Sequence, residues 1–217
     1  MKVQFIQNNN YPNFKAIKVA EVKGSVVSNM PKFDIYKLEE RDRVFLCDLK
    51  RSVKFKDYFS KMSDALIARW QKIFNYCMDT AISNDNITYL AFWGKHPCGV
   101  MTYQNESPII LDGVCSIPVE KNKKLPFVGK SLFYQLFKDA KESDSKGIRL
   151  KAVTDGPYDV AKKYEEMGFK REFSDDMEYI DMSCNKHKIK EQLKEFPYEI
   201  DYWECDGEKV NLVDLLG

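Results

Sequence analysis

The feature that most constrains this chain is a change of hydrophobic period. From Ser63 onward, Leu66, Ile67, Trp70, Ile73, Phe74, Cys77, Met78 and Ile82 recur at steps of three and four residues, the spacing of one face of an α-helix. Ser63 is a natural N-cap, because its hydroxyl can accept from a free amide of the first turn. The spacing predicts an amphipathic helix of about five turns. After "NDN" the period becomes that of strands. "ITYLAFWGKHPCGVMTYQ" reads as two β-rich runs joined by a short Gly and Pro turn, a hairpin signal, and "IILDGVCSIPV" reads as a third strand.

The alternation then continues. Val128, Leu132, Phe133, Leu136, Phe137 and Ala140 repeat with helical period, and residues 148–154 alternate as a strand. After "DGPYD" a short helix carries Val160, Ala161, Tyr164 and Met167 on one side and closes at Gly168, a residue suited to the left-handed conformation past a helix end. Residues 177–183 form a last strand. Helix, hairpin, strand, helix, strand, short helix, strand implies a mixed sheet with helices on its faces, an α/β fold of the α+β mixed-sheet kind.

The flanks are less patterned. Residues 33–40 read as a strand and 41–59 as a charged helical stretch. Residues 1–31, with "NNNYPN", read as a loose lead-in with a strand near "FKAIKVAEV". The tail adds a basic helical run, "NKHKIKEQLKEF", and an aromatic and acidic segment, "PYEIDYWECDGEKV". The expected organisation is a lead-in over 1–31, one domain over 32–184 and a C-terminal extension over 185–217.

Composition narrows the partners. The 217 residues are 44% hydrophobic, enough for a real core. Lys and Arg number 34 against 33 Asp and Glu, so there is no global reason to expect nucleic acid or an acidic membrane, and anion binding must be local. The six cysteines are far apart without a CxxC pair, which reads as reduced thiols in a cytoplasm. No apolar run reaches the roughly 18 residues of a membrane span. The only histidines, His96 and His187, stand apart without zinc spacing, so no metal is expected. His96, in "GKHPCG", reads as an exposed turn residue.

Two short stretches carry chemistry. "KNKKLPFVGK", 121–130, holds four lysines and no acid where a strand ends and a helix begins. Free N–H groups and the positive end of a helix dipole favour an anion there, and Pro126 suits a first turn. By itself the stretch is equally a solvated basic loop. In "KKYEEMGFK", 162–170, the periodicity of Tyr164 argues only for packing.

Together, a strand, a basic turn opening a helix, another strand and a short helix ending in Tyr-x-x-x-Gly-Phe resemble the GCN5-related N-acetyltransferase (GNAT) superfamily. The resemblance spans about 33–183 in element order and is specific in motif between about 112 and 169. It implies a GNAT-like acyl-CoA N-acyltransferase fold with N- and C-terminal extensions. It also implies acetyl transfer from acetyl-coenzyme A, without a metal, to a primary amine of a small molecule or peptide. In this family the turn carries Arg/Gln-x-x-Gly-x-Gly/Ala, whose amides hold the pyrophosphate. Lys124 takes the Arg/Gln place, Phe127 the first Gly and Gly129 the last position, with the amides of Val128, Gly129 and Lys130 on the pyrophosphate and Ser131 beside them. Lys124 keeps a cation and loses the planar fork of Arg, and Phe127 sets a side chain where the family has none. These departures leave open a second implication, a catalytically degenerate binding or regulatory module.

The resemblance assigns further roles. Ile117 and Val119 lie nearest the thioester in a strand that splays and bulges at about Pro118, a residue tolerated at bulges. Tyr164 is the general acid for the departing thiolate. Asp112 and Glu120 are the candidate bases. The acceptor would be held by the helices of the first half and by the tail.

Overall fold

The computed structural model describes residues 15–24, 32–83, 86–121, 125–154, 159–173, 178–196 and 200–212. In chain order they form β1 (Lys15–Gly24), β2 (Phe33–Lys37), α1 (Arg43–Ser52), α2 (Asp64–Ile82), β3 (Asn86–Trp93), β4 (His96–Gln104) and β5 (Ile109–Ser116). These are followed by α3 (Val128–Glu142), β6 (Gly147–Val153), α4 (Val160–Glu166), β7 (Lys170–Arg171), β8 (Tyr179–Asn185), α5 (Lys186–Glu195), β9 (Ile200–Glu204) and β10 (Lys209–Asn211). The strands make one sheet in the order β10-β1-β2-β3-β4-β5-β6-β8-β7, with β9 also on β1. Among the described residues the β5–β6 pair is parallel and the other pairs are antiparallel. The expected mixed α/β sheet is therefore what forms.

Helix α2 starts where its cap predicts, with the Ser63 hydroxyl accepting from the Leu66 amide at 3.4 Å. The stretch 41–59 is broken instead of continuous: a 3-10 turn (Glu40–Asp42), α1, then a second 3-10 turn (Phe55–Asp57). Gln71 of α2 explains the break, since its side chain accepts from the Phe55 amide at 2.9 Å and donates to the Val53 carbonyl at 3.2 Å. A side chain from another element thus satisfies backbone groups that a longer helix would have paired internally.

The sheet is covered on both faces. On one, α1, the second 3-10 turn and α2 pack Leu46, Phe55, Trp70 and Phe74 into a core with Leu90 and Val100, and Phe59 stacks on Trp70 at 5.1 Å. On the other, α3, α4 and α5 contribute Leu132, Phe137, Ala161 and Ile189 to a core with Tyr103, Ile148 and Leu150. Two glycines let helices lie close on the sheet. A Cβ at Gly113 would fall 2.6 Å from the Cys77 sulfur of α2, and one at Gly99 would fall 2.4 Å from Val128 Cγ1 of α3.

The sheet parts at one seam. β5 and β6 are paired only from Ile109 to Leu111 against Ile148 to Leu150. Immediately beyond, Tyr103 opposes Leu111 and Thr102 opposes Gly113, so Asp112 is the extra residue of a β-bulge. The bulge expected near Pro118 is therefore six positions earlier. β5 ends at Ser116, so Pro118 lies past the strand, where a missing donor removes no ladder bond. His96 is exposed, as expected, at the edge of the hairpin turn: it opens β4 opposite Trp93, with Gly94 at φ +56° supplying the tight bend.

Both terminal segments enter the sheet. β1 comes from the stretch read as a lead-in, and β9 and β10 from the tail pair with it. The tail is also bound to α3. Phe196 stacks on Tyr134 at 5.6 Å, and the Tyr202 hydroxyl donates to Gln135. Gln135 in turn donates to Asp139 at 2.8 Å, and Asp139 accepts from Tyr89 at 2.8 Å and Tyr103 at 2.7 Å. All six cysteines are free thiols. Among the described residues no helix is long and apolar enough to cross a membrane.

Candidate active site

Where β5 and β6 part, a cavity of about 820 Å³ opens, lined from both faces of the sheet. α2 contributes Arg69, Lys72, Ile73 and Tyr76; the β5 bulge contributes Asp112 and its successors; α3 contributes its first turn; α4 and its C-cap contribute Lys163, Tyr164 and Met167. A gap bordered by α3 and α4 on one face and α2 on the other allows two molecules to meet through the sheet.

The first turn of α3 forms one wall. Its N-cap is Phe127, at φ 64° and ψ −6°, and the turn contains no acidic residue. This is left-handed backbone, which glycine adopts freely and which costs other residues about 1–2 kcal/mol. The chain thus keeps a glycine-like bend while carrying a phenylalanine, whose ring packs partly against the core and lines the cavity. The bend lets the helix start abruptly: the first amide bonded back within it is that of Ser131, to the Phe127 carbonyl at 2.8 Å. The N–H groups of Val128, Gly129 and Lys130 therefore have no partner within the helix. A Cβ built on Gly129 meets only the Ser116 hydroxyl, at 3.9 Å, so the space beside this backbone is open. Open space beside first-turn backbone and the positive end of a 15-residue helix suit a pyrophosphate. Lys130 also lines the cavity, and burial lowers its ammonium pKa from the ordinary value.

Tyr164 is fixed by the end of α4. The Phe169 amide donates to the Tyr164 carbonyl at 3.0 Å and the Gly168 amide to the Glu165 carbonyl at 2.9 Å, with Gly168 at φ +89°. These are the two bonds of a Schellman cap, and its usual apolar contact is made by the Tyr164 and Phe169 rings, 6.1 Å apart. Tyr-x-x-x-Gly-Phe is therefore first a stop signal. The Tyr164 ring also packs at 5.3 Å from Phe133, and the residue borders the cavity. Packing and access to the cleft coexist in one side chain.

Asp112 is held by two amide donors, Asn86 and Gln104, each at 2.9 Å. Burial raises its carboxyl pKa above the usual range, and the two hydrogen bonds oppose that shift. Tyr76 and Tyr179 lie near it in the cavity lining, and burial followed by the Asp112 charge raises the Tyr76 phenol.

The other expected site residues fall elsewhere. Ile117 is buried in the α2-side core and Val119 in the α3-side core, and neither borders the cavity. Glu120 is exposed outside it. Ser131 is fully buried behind the helix start. Lys124 lies outside the described residues. The α2 wall had no motif to announce it. Arg69, Lys72, Ile73 and Tyr76 follow i, i+3, i+4, i+7, a stripe beside the buried one, and that spacing was its one signal.

No protein-family model and no curated protein matches the sequence. Solved structures do resemble it. Apo FdhC, a nucleotide-linked sugar GNAT, is 15% identical with a TM-score of 0.51, over 87% of this chain and 98% of its own. The GNAT domain of S. lividans PAT is 11% identical with a TM-score of 0.50, over 76% of this chain and 96% of its own. PaiA N-acetyltransferase from Thermoplasma acidophilum, in complex with coenzyme A, is 19% identical over 70% and 98%, with a TM-score of 0.48. The likeness to the first two of these structures is one of fold: the chain has the GNAT fold.

Proposed function

We propose that the protein is an N-acetyltransferase that moves an acetyl group from acetyl-coenzyme A to a primary amine by direct attack. The supporting observation is that the first turn of α3, Tyr164 and Asp112 all border one cavity at the parted seam. Acetyl-coenzyme A supplies an activated thioester and a pyrophosphate. The amides of Val128, Gly129 and Lys130 hold the pyrophosphate, directly after the left-handed bend at Phe127. Tyr164 gives its phenolic proton to the departing sulfur and is re-protonated from solvent. Asp112, fixed by Asn86 and Gln104, takes a proton from the amine, which must be neutral to attack. Glu120, exposed and away from the cavity, takes no part. The α2 wall receives the acceptor.

The test is release of free thiol from acetyl-coenzyme A in the presence of a panel of primary amines. Turnover that falls about 10²-fold in Tyr164→Phe, with the fold intact, supports the reading. Unchanged turnover in that variant would remove Tyr164 from the mechanism, and no thiol release with any amine would favour the non-catalytic binding module.

A further inference from the structure

The charges on the acceptor side point to what the acceptor carries. In β6 the residues Ile148, Leu150 and Ala152 are buried in the core beneath α3. Side chains alternate along a strand, so Lys151 and Val153 face the side of the sheet that α2 covers. Arg69 and Lys72 of α2 border the same cavity as Lys151. Three cations therefore surround the acceptor half. Against them stands Asp112, whose two oxygens already accept from Asn86 and Gln104. Asp181 lies across from Lys151 at 3.9 Å with Lys151 61% exposed, a solvent-screened pair of little strength. The remaining charged lining groups, Lys130, Lys163 and Glu166, belong to α3 and α4 on the opposite face.

Resting on the acetyl-transfer reading above, we infer that the acceptor is an amine that also carries an anionic group, and that Arg69, Lys72 and Lys151 hold that group. Polyamines and other polycations meet like charge here. The same cations assist the chemistry: a positive neighbour disfavours the ammonium form, so the bound amine loses its proton more readily. Anchoring the anion and neutralising the nucleophile are then one electrostatic effect.

Matched pairs of probes test this on the full-length protein saturated with acetyl-coenzyme A. Glucosamine 6-phosphate is compared with glucosamine, and 4-aminobutyrate with 1,4-diaminobutane. The anionic member of at least one pair is expected to exceed its partner in kcat/KM by about tenfold or more, with the phosphate and carboxylate arms identifying the anion. Arg69→Glu with Lys72→Glu should abolish that preference while KM for acetyl-coenzyme A stays within about twofold. Lys151→Glu, at an exposed strand position, repeats the test should the double variant fold poorly. Where no probe turns over, melting shifts decide: the anionic probes should stabilise the wild type and fail to stabilise Lys151→Glu. Preference for the member without the anionic group, absence of both turnover and shift with the anionic probes, or loss of acetyl-coenzyme A affinity in the variants overturns the proposal. Absence of acetyl-coenzyme A binding to the wild type is a separate outcome, and defeats the acetyl-transfer reading itself.

Discussion

Asp112 and Asp139 are both partly buried carboxylates fixed by side-chain donors, and burial raises the pKa of both. Their surroundings make them opposites. Asp139 accepts from Tyr89, Tyr103 and Gln135, and through Gln135 it links to Tyr202 of the tail. That knot joins β3, β4, α3 and β9. Asp112 sits in the bulge at the parted seam, held by two amides, and borders the cavity. The difference teaches how a partly buried carboxylate comes to face a cavity. A bulge removes its residue from the ladder and turns it toward space, whereas a carboxylate enclosed by donors only holds elements together.

The largest effect that could break this contrast is at the knot. Asp139→Ala leaves three buried donors without their acceptor and should destabilise the fold by about 3–5 kcal/mol in urea unfolding. Turnover per folded molecule should be little changed. Asp112→Asn should do the reverse: kcat falls about 10²-fold while the unfolding free energy changes by less than about 1 kcal/mol. Equal losses of stability in the two variants would erase the distinction.

A smaller effect lies in pH. For both carboxyls the folded pKa is above the unfolded value of about 4. The folded state therefore holds these protons more tightly. Its associated stability is fully present below about pH 4 and is lost as pH rises through the raised folded values. Stability measured in urea over this range should decline with pH more steeply in the wild type than in Asp139→Asn, and an identical slope would contradict the assignment. The proposed role of Asp112 as base predicts the opposite course for activity, since a base must be ionised. The acid limb of the rate profile should lie above the ordinary carboxylate range and vanish in Asp112→Asn.

Much of the fold was legible because its signals are local. The Ser63 cap and the spacing from Leu66 to Ile82 located α2, and Gly168 located the end of α4. Of the cavity lining, the sequence pointed to the two stretches that lie at element ends, at Gly129 and at Tyr164. What stayed hidden depends on distant partners. The bulge at Asp112 is set by the register of β5 against β4, which local pattern does not record, and Pro118 drew attention to the wrong position. Arg69 and Lys151 share a cavity only because two strands separate between them. β9 and β10 find β1 across most of the chain length.

The central claim is that the start of α3 holds the pyrophosphate of coenzyme A. Gly129→Glu tests it most directly, because a Cβ there meets only Ser116 Oγ at 3.9 Å and opens onto the cavity, so the fold should persist. Coenzyme A at a hundredfold excess over Kd should stabilise the wild type by about 2.7 kcal/mol in thermal unfolding. The same concentration should give Gly129→Glu markedly less stabilisation and should leave that of Asp112→Asn undiminished. No stabilisation of the wild type by millimolar coenzyme A, or equal stabilisation of Gly129→Glu, would contradict the claim.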